Sequence, residues 1–146
     1  MKEIFNEHLR AFNAFYKELS HIYHEEALAA GISDSAFEVL YCLSTLEDGC
    51  CQKHIAQASF LSKQTINSSI KALEKKGWIE LRKGKGRECG VYLMDRGRDV
   101  IKMYVYPAIQ RENEAFEQMG EENAGRFIEL GQRYVHHLKQ GKEKTT

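Results

Sequence analysis

Residues 51–97 constrain the fold of this chain more than any other stretch. In SKQTINSSIKALEKKG, which starts at Ser62, the apolar residues Ile66, Ile70 and Leu73 recur at i, i+4 and i+7. That spacing makes one narrow stripe on a helix. Ser62 suits the N-cap, and Gly77 falls where a glycine ends a helix. Lys75 and Lys76 lie in the last turn, where cations complement the helix dipole. A shorter helical segment, Gln52 to Ala58, comes before it with Ile55 and Ala56 as its buried positions. Ser59-Phe60-Leu61 makes the turn between the two, with Leu61 plugged between the helices. After Gly77, Trp78-Ile79-Glu80-Leu81-Arg82 reads as a strand and Val91-Tyr92-Leu93 as its partner. Between them lies KGKGREC, where Gly84 and Gly86 permit the bend and Lys83, Lys85 and Arg87 supply charge. Two helices, a tight turn and a hairpin, in that order, make a helix-turn-helix followed by a wing. Such an arrangement can put one helix into a DNA major groove and a loop onto the backbone beside it.

The second helix carries a polar face suited to that role. Ser62, Lys63, Gln64, Thr65, Asn67, Ser68 and Lys71 lie opposite the stripe, and no carboxylate interrupts them. An ordinary solvated face usually mixes in Glu and Asp. Gln64 and Asn67 are the expected base readers, because an amide pairs bidentately with adenine. Lys63, Lys71, Lys85 and Arg87 are expected on phosphates or in the minor groove, and the wing candidates as a set are Lys83, Lys85 and Arg87. The formal net charge of zero conceals an asymmetry. From Gln52 to Arg87 there are nine Lys and Arg against two Glu, a balance of +7, and the remainder of the chain carries the opposite −7. A basic centre in an acidic frame points to a polyanion partner, and the frame limits indiscriminate binding.

Outside this centre the chain reads as helical. Residues 2–30 carry Phe5, Leu9, Phe12, Tyr16, Leu19, Tyr23 and Ala27 at alternating steps of four and three, widened by Phe15 and Ile22. Gly31 ends that helix. It is longer than a small winged-helix core can cover, so its surplus apolar face calls for a partner chain. Residues 33–46 form a second helix through Phe37, Leu40, Tyr41, Leu43 and Leu46, capped by Ser33 or Asp34. Residues 96–119 form a long helix interrupted by Pro107, which removes one backbone hydrogen bond and bends the helix near Met103–Tyr106. Residues 122–140 form the last, with Ala124, Phe127, Ile128, Gly131, Tyr134, Val135 and Leu138 on one face. The fold class is therefore mainly α with a small β-hairpin wing: a winged helix-turn-helix domain flanked by long N- and C-terminal helices. A length of 146 residues suits one domain with a dimerisation extension. No apolar run approaches a membrane span and the N-terminus does not read as a signal peptide, so the expected location is cytoplasmic.

The stretch from Ile55-Ala56 through SKQTINSSIKALEKKGWI, to a wing that ends in Arg87, five residues, Leu93 and then Gly97, resembles the core of the MarR (multiple antibiotic resistance regulator) family of winged-helix transcription factors. Lys85 stands where that family's wing usually has Asp, Met94 where it usually has Thr, and the loop is about two residues shorter. The resemblance implies a homodimeric regulator, expected to be a repressor. Residues 1–32 and 98–146 would form its dimerisation helices, and residues 33–97 its DNA-binding lobe. Two chains would interlock through their terminal helices and present two recognition helices to a pseudo-palindromic operator on double-stranded DNA.

The effector stays open among three classes. A small aromatic or amphipathic molecule would sit, as in the family, between the dimerisation helices and the DNA-binding lobe, where Tyr16, Tyr23, Phe37, Tyr41 and Tyr104 are candidates. A redox or metal signal would use Cys51 and His54 with Cys89, since thiol and imidazole are soft ligands and thiols oxidise. His21 and His24, beside Glu25, are a further pair. The four cysteines are expected to stay reduced, with Cys42 a core thiol. No cofactor is expected. No Gly-rich phosphate loop, G-x-S-x-G or catalytic cluster supports an enzyme. The competing reading is a winged-helix adaptor that binds protein. The carboxylate-poor basic face argues against it, because protein interfaces favour aromatics and Met.

Overall fold

The structure, a computed structural model, describes Ile4, residues 6–84 and residues 88–145. The chain divides into two compact units, one ending at Pro107 and the other beginning at Ala108.

Helix α1 (Glu7–Ala30) starts where the Asn6 side chain accepts the Leu9 N–H at 2.8 Å, five residues later than the periodicity suggests. Phe5 lies outside the described residues. Gly31 ends the helix in the left-handed region (φ 73°), which a glycine adopts without penalty. Helix α2 (Asp34–Thr45) is capped by Ser33, whose hydroxyl accepts the Ala36 N–H. It forms the centre of the unit, burying Phe37, Val39, Leu40 and Leu43 against α1 and the elements that follow.

Helices α3 (Gln52–Ser59) and α4 (Lys63–Lys75) pack on α2 and on each other. Ile55 from α3 and Ile66, Ile70 and Leu73 from α4 are wholly buried. Each such side chain contributes about 1.5–3 kcal/mol of burial free energy. Ala56, expected to be buried, is only half-buried, because the eight-residue α3 turns a single position fully inward. In the turn, Leu61 is half-buried and Phe60 is left outside, 92% exposed with φ 58°. Helix α4 ends as its glycine requires: Gly77 (φ 74°) donates to the Glu74 carbonyl at 2.9 Å and Trp78 to Leu73 at 3.1 Å, the paired bonds of a Schellman cap.

Strands β1 (Ile79–Lys83) and β2 (Cys89–Leu93) pair antiparallel from Ile79↔Leu93 to Lys83↔Cys89. Cys50 adds a one-residue bridge to Val91 on the other edge of β2. At the base of the hairpin, Gly97 lies so close to β1 that a Cβ there would meet the Trp78 carbonyl oxygen at 2.1 Å. Helix α5 (Asp95–Val100) runs into a π-helical turn, Ile101–Val105, and then α6 (Tyr106–Met119). The Tyr106 N–H bonds to the Ile101 carbonyl five residues back. The expected interruption at Pro107 therefore takes the form of a widened turn. It gives room to a ring that would otherwise clash with the carbonyl four residues before it.

In the second unit α6 meets α7 (Glu121–Thr145) through Gly120 (φ 82°), and the Phe116 and Phe127 rings lie 6.4 Å apart. Helix α7 has no buried residue, and Phe127, Ile128, Tyr134, Val135 and Leu138 are 41–56% exposed. Among the described residues, no helix is long and apolar enough to cross a membrane.

Candidate nucleic-acid interface

The buried stripe of α4 fixes which side of that helix faces out. With Ile66, Ile70 and Leu73 wholly buried, Gln64, Asn67, Ser68 and Lys71 follow one another at i, i+3, i+4 and i+7 on the exposed side. Lys63 and Ser62 are exposed at its start and Thr65 is half-exposed. Not every member is equally free. The Ser62 hydroxyl accepts the Thr65 N–H at 3.2 Å and donates to Thr65 Oγ1 at 2.9 Å, so this pair is committed to starting the helix. Lys63, Gln64, Asn67, Ser68 and Lys71 make no side-chain hydrogen bond or ion pair with another described residue, and their donors and acceptors point to solvent. Ser69, absent from the expected face, is 5% exposed and packs inward.

Lys83 ends β1, exposed and paired in register with Cys89. Lys85 and Arg87 lie outside the described residues. Arg82 forms an ion pair with Glu80, and its guanidinium stacks over the Tyr92 ring at 4.2 Å. Lys76 lies 5.2 Å from the Trp78 ring centroid.

A latch that sequence reasoning missed holds the hairpin base. Asp48 Oδ1 accepts the Leu93 N–H at 3.2 Å and Oδ2 accepts from Arg98 Nη2 at 2.7 Å, while Arg98 Nη1 donates to the Leu93 carbonyl at 2.7 Å. One carboxylate and one guanidinium thus tie the loop before α3, the end of β2 and α5 together. Both side chains are 45% exposed, so the gain in stability is modest and the effect is mainly to orient the wing. No local motif pairs residues fifty positions apart, so only an Asp preceding the first helix and an Arg following the wing hint at it.

The thiol and imidazole candidates converge at the start of α3. Cys51, 8% exposed, is the N-cap. Its N–H donates to His54 Nδ1 at 3.2 Å, and its Sγ lies 3.4 Å from the same nitrogen. Cys51 and Cys89 line one cleft of about 540 Å³ together with Gln52, Lys53, Lys63, Ile66 and Glu88. Burial, and then the charge of Glu38, push the Cys42 thiol up to about 11; burial, then Cys51 and Asp48, raise Cys50 as well. No group of three His, Cys, Asp or Glu among the described residues is arranged to hold a metal ion. His21 pairs with Glu25 at 2.9 Å and His24 with Asp34 at 2.7 Å, so the two histidines serve different carboxylates.

Of the five aromatic candidates, Phe37 is buried in the core at 3% exposure, Tyr41 and Tyr104 are half-buried, and Tyr16 and Tyr23 are exposed along α1. None of them lines the apolar cleft of about 420 Å³ bounded by Leu28, Ile32, Ala36, Leu73 and Lys76.

The sequence model of the MarR family matches residues 30–88, which contain α2, α3, α4 and β1. Among solved structures, NMB1585, a MarR family regulator from Neisseria meningitidis, superposes with a TM-score of 0.79 at 20% identity, covering 97% of this chain and 100% of its own. A MarR/EmrR family transcriptional regulator from Acinetobacter sp. ADP1 gives 0.72 at 21% identity, covering 93% of this chain and 99% of its own. MepR of S. aureus, in a complex with DNA, gives 0.74 at 17% identity, covering 92% of this chain and 97% of its own. No curated protein matches the chain. The sequence match over residues 30–88 and a fold shared along nearly the whole length make this chain similar to the winged-helix proteins of the MarR family.

Proposed function

We propose that this protein is a homodimeric, sequence-specific DNA-binding transcription regulator that represses from a pseudo-palindromic operator and is released by an effector. The observation that carries the reading is the exposed face of α4: Gln64, Asn67, Ser68 and Lys71 aligned, free of carboxylates and without partners among the described residues. Asn67 and Gln64 read base edges in the major groove. Lys63, Lys71, Lys83, Lys85 and Arg87 hold phosphates or enter the minor groove, and Ser62, Thr65 and Ser68 complete the surface. The same fold in MepR, solved with DNA, supports this use of it.

Dimerisation through residues 1–32 and 98–146, with residues 33–97 as the DNA-binding lobe, is supported by apolar surface left over on the terminal helices. Phe12, Phe15, Tyr16, Leu19, Ile22 and Tyr23 on α1 are 37–58% exposed. Contiguous apolar surface of this kind marks an interaction site. A two-fold dimer sets its recognition helices about one turn of DNA apart.

Selection from a randomised duplex library tests the reading. The expected result is enrichment of an inverted repeat with half-sites about one helical turn apart. Enrichment of no motif would contradict sequence-specific binding and favour a protein-binding adaptor.

A further inference from the structure

Phe60 stands in the turn between the two helices of the helix-turn-helix, and folding makes no use of its ring. The residue is 92% exposed, and it is the one non-glycine among the described residues with a positive φ, 58°. That left-handed backbone is costly for a bulky side chain and free for glycine. It persists where the surroundings over-determine it, and here they do. The Phe60 N–H donates to the Ala56 carbonyl at 3.0 Å. The Ser59 hydroxyl donates to the Ile55 carbonyl at 2.7 Å and accepts the Leu61 N–H at 3.2 Å. Leu61 is half-buried beside it. The ring is therefore presented to solvent from a fixed backbone between two anchored neighbours.

The surface around the ring narrows what it can meet. From Gly49 to Leu73 the sequence has no Asp or Glu, and Phe60 is the only aromatic residue of that stretch. Gln57, Ala58, Ser62, Lys63 and Gln64, its neighbours along the chain, are exposed. A protein partner calls for contiguous apolar surface. A single ring among amides, hydroxyls and lysines does not supply it. A DNA major groove is the complementary case: phosphates and polar base edges throughout, with one apolar feature, the 5-methyl group of thymine, which a Phe ring can cover. Position agrees. Two residues of chain span at most about 7 Å, so Phe60 lies within that reach of Ser62, the N-cap of α4. Bases along one strand are about 3.4 Å apart, so this reach is about two base steps.

We propose that Phe60 is a specificity-determining residue that rests its ring on the 5-methyl group of a thymine in the major groove, beside the bases read from α4. The contact rests on the DNA-binding reading above and adds an apolar component to it. Helix α4 selects base edges by hydrogen bonding, and the turn before it selects thymine over cytosine, which lacks the methyl group. The backbone strain at residue 60 is then the cost of aiming the ring.

The experiment takes the duplex selected from the randomised library and replaces each thymine by deoxyuridine, one position at a time. Deoxyuridine removes the methyl group and keeps every hydrogen bond. Wild type, Phe60→Ala and Phe60→Gly are titrated against the set. At one position per half-site the replacement should weaken wild type about fourfold, the worth of burying one methyl group, and should leave both variants unchanged. Both variants, altered at each half-site, should bind the unmodified duplex about 15-fold or more weakly than wild type. Phe60→Gly should also melt about 2–4 °C higher, because glycine relieves the backbone, so its weaker binding is not a loss of fold. Equal methyl dependence in wild type and both variants overturns the contact. Undiminished binding by Phe60→Gly overturns it as well, and would leave the exposed ring to a protein partner. A wild type that binds no duplex overturns the DNA reading itself, and the contact with it.

Discussion

Helices α4 and α7 are built on the same sequence principle and end in opposite situations. Both carry apolar residues at helical spacing on one side and polar residues on the other. In α4 the stripe is closed within its own unit: Ile66, Ile70 and Leu73 reach zero exposure against α2, α3 and β1. Its polar face is then held rigidly outward with its hydrogen-bonding groups unspent. Helix α7 is twice as long and buries nothing; Phe127, Ile128, Tyr134, Val135 and Leu138 all stay more than 40% exposed. The same amphipathic pattern thus leaves a polar surface free in one case and an apolar surface in the other. What a helix offers to a partner depends on which face the fold has already used.

The most damaging change should be in the closed stripe. Ile70→Ala removes a side chain with no exposure and should lower unfolding free energy by about 2–5 kcal/mol in urea titrations, at every protein concentration. A loss below about 1 kcal/mol would mean that the site collapses onto the cavity. On α7, Leu138→Glu should act on assembly instead. Sedimentation should show dimer dissociation strengthened about a hundredfold, some 2.7 kcal/mol, with the helix content of each chain kept. Unfolding on that substitution would erase the distinction between the two helices.

Two further changes sharpen the polar side of the comparison. Asn67→Ala should reduce discrimination between operator and scrambled duplex by about 1–3 kcal/mol. Lys83→Ala should weaken binding to both duplexes alike and lower the salt slope by about one unit. Equal effects of the two substitutions on both duplexes would contradict that division of labour.

The smallest effect concerns the core thiol. The Cys42 pKa is raised from 9.0 to about 11, by burial first and Glu38 second. The unfolded chain gives up that proton at lower pH than the folded one. The associated stability is therefore complete below pH 9 and is lost as pH rises toward 11. Subtracting the stability curve of Cys42→Ala from that of wild type should leave a difference that declines across this window. A flat difference would show that Cys42 ionises alike in both states.

Much of the first unit was legible in the chain because its signals are local. Ser62, Gly77, Gly31 and Ser33 mark helix ends by what they do to neighbouring amides, and each sits at the end it announces. Pro107 likewise announces an interruption, but not its form: a turn widened by one residue preserves more hydrogen bonds than a break. What could not be read depends on contacts far apart in sequence. Asp48 and Arg98 meet across fifty residues, and Cys50 pairs with Val91 across forty-one. The choice of Leu61 over Phe60 as the inward residue of the turn follows from hydrophobic spacing. The left-handed conformation at Phe60 does not, since a bulky residue rarely adopts it. The seven-residue polar face was visible as composition. That Ser62 and Thr65 spend their hydroxyls on each other was not.

The measurement that tests the account most directly is a fluorescence-anisotropy titration of wild type and Asn67→Ala against an operator selected from random sequence and its scrambled counterpart, over a series of salt concentrations. The account predicts saturation of the operator at one dimer per site, a steep salt slope, and a preference that Asn67→Ala diminishes without changing that slope. Equal binding of wild type to both duplexes, or a preference untouched by the substitution, would contradict the claim that the exposed face of α4 reads DNA.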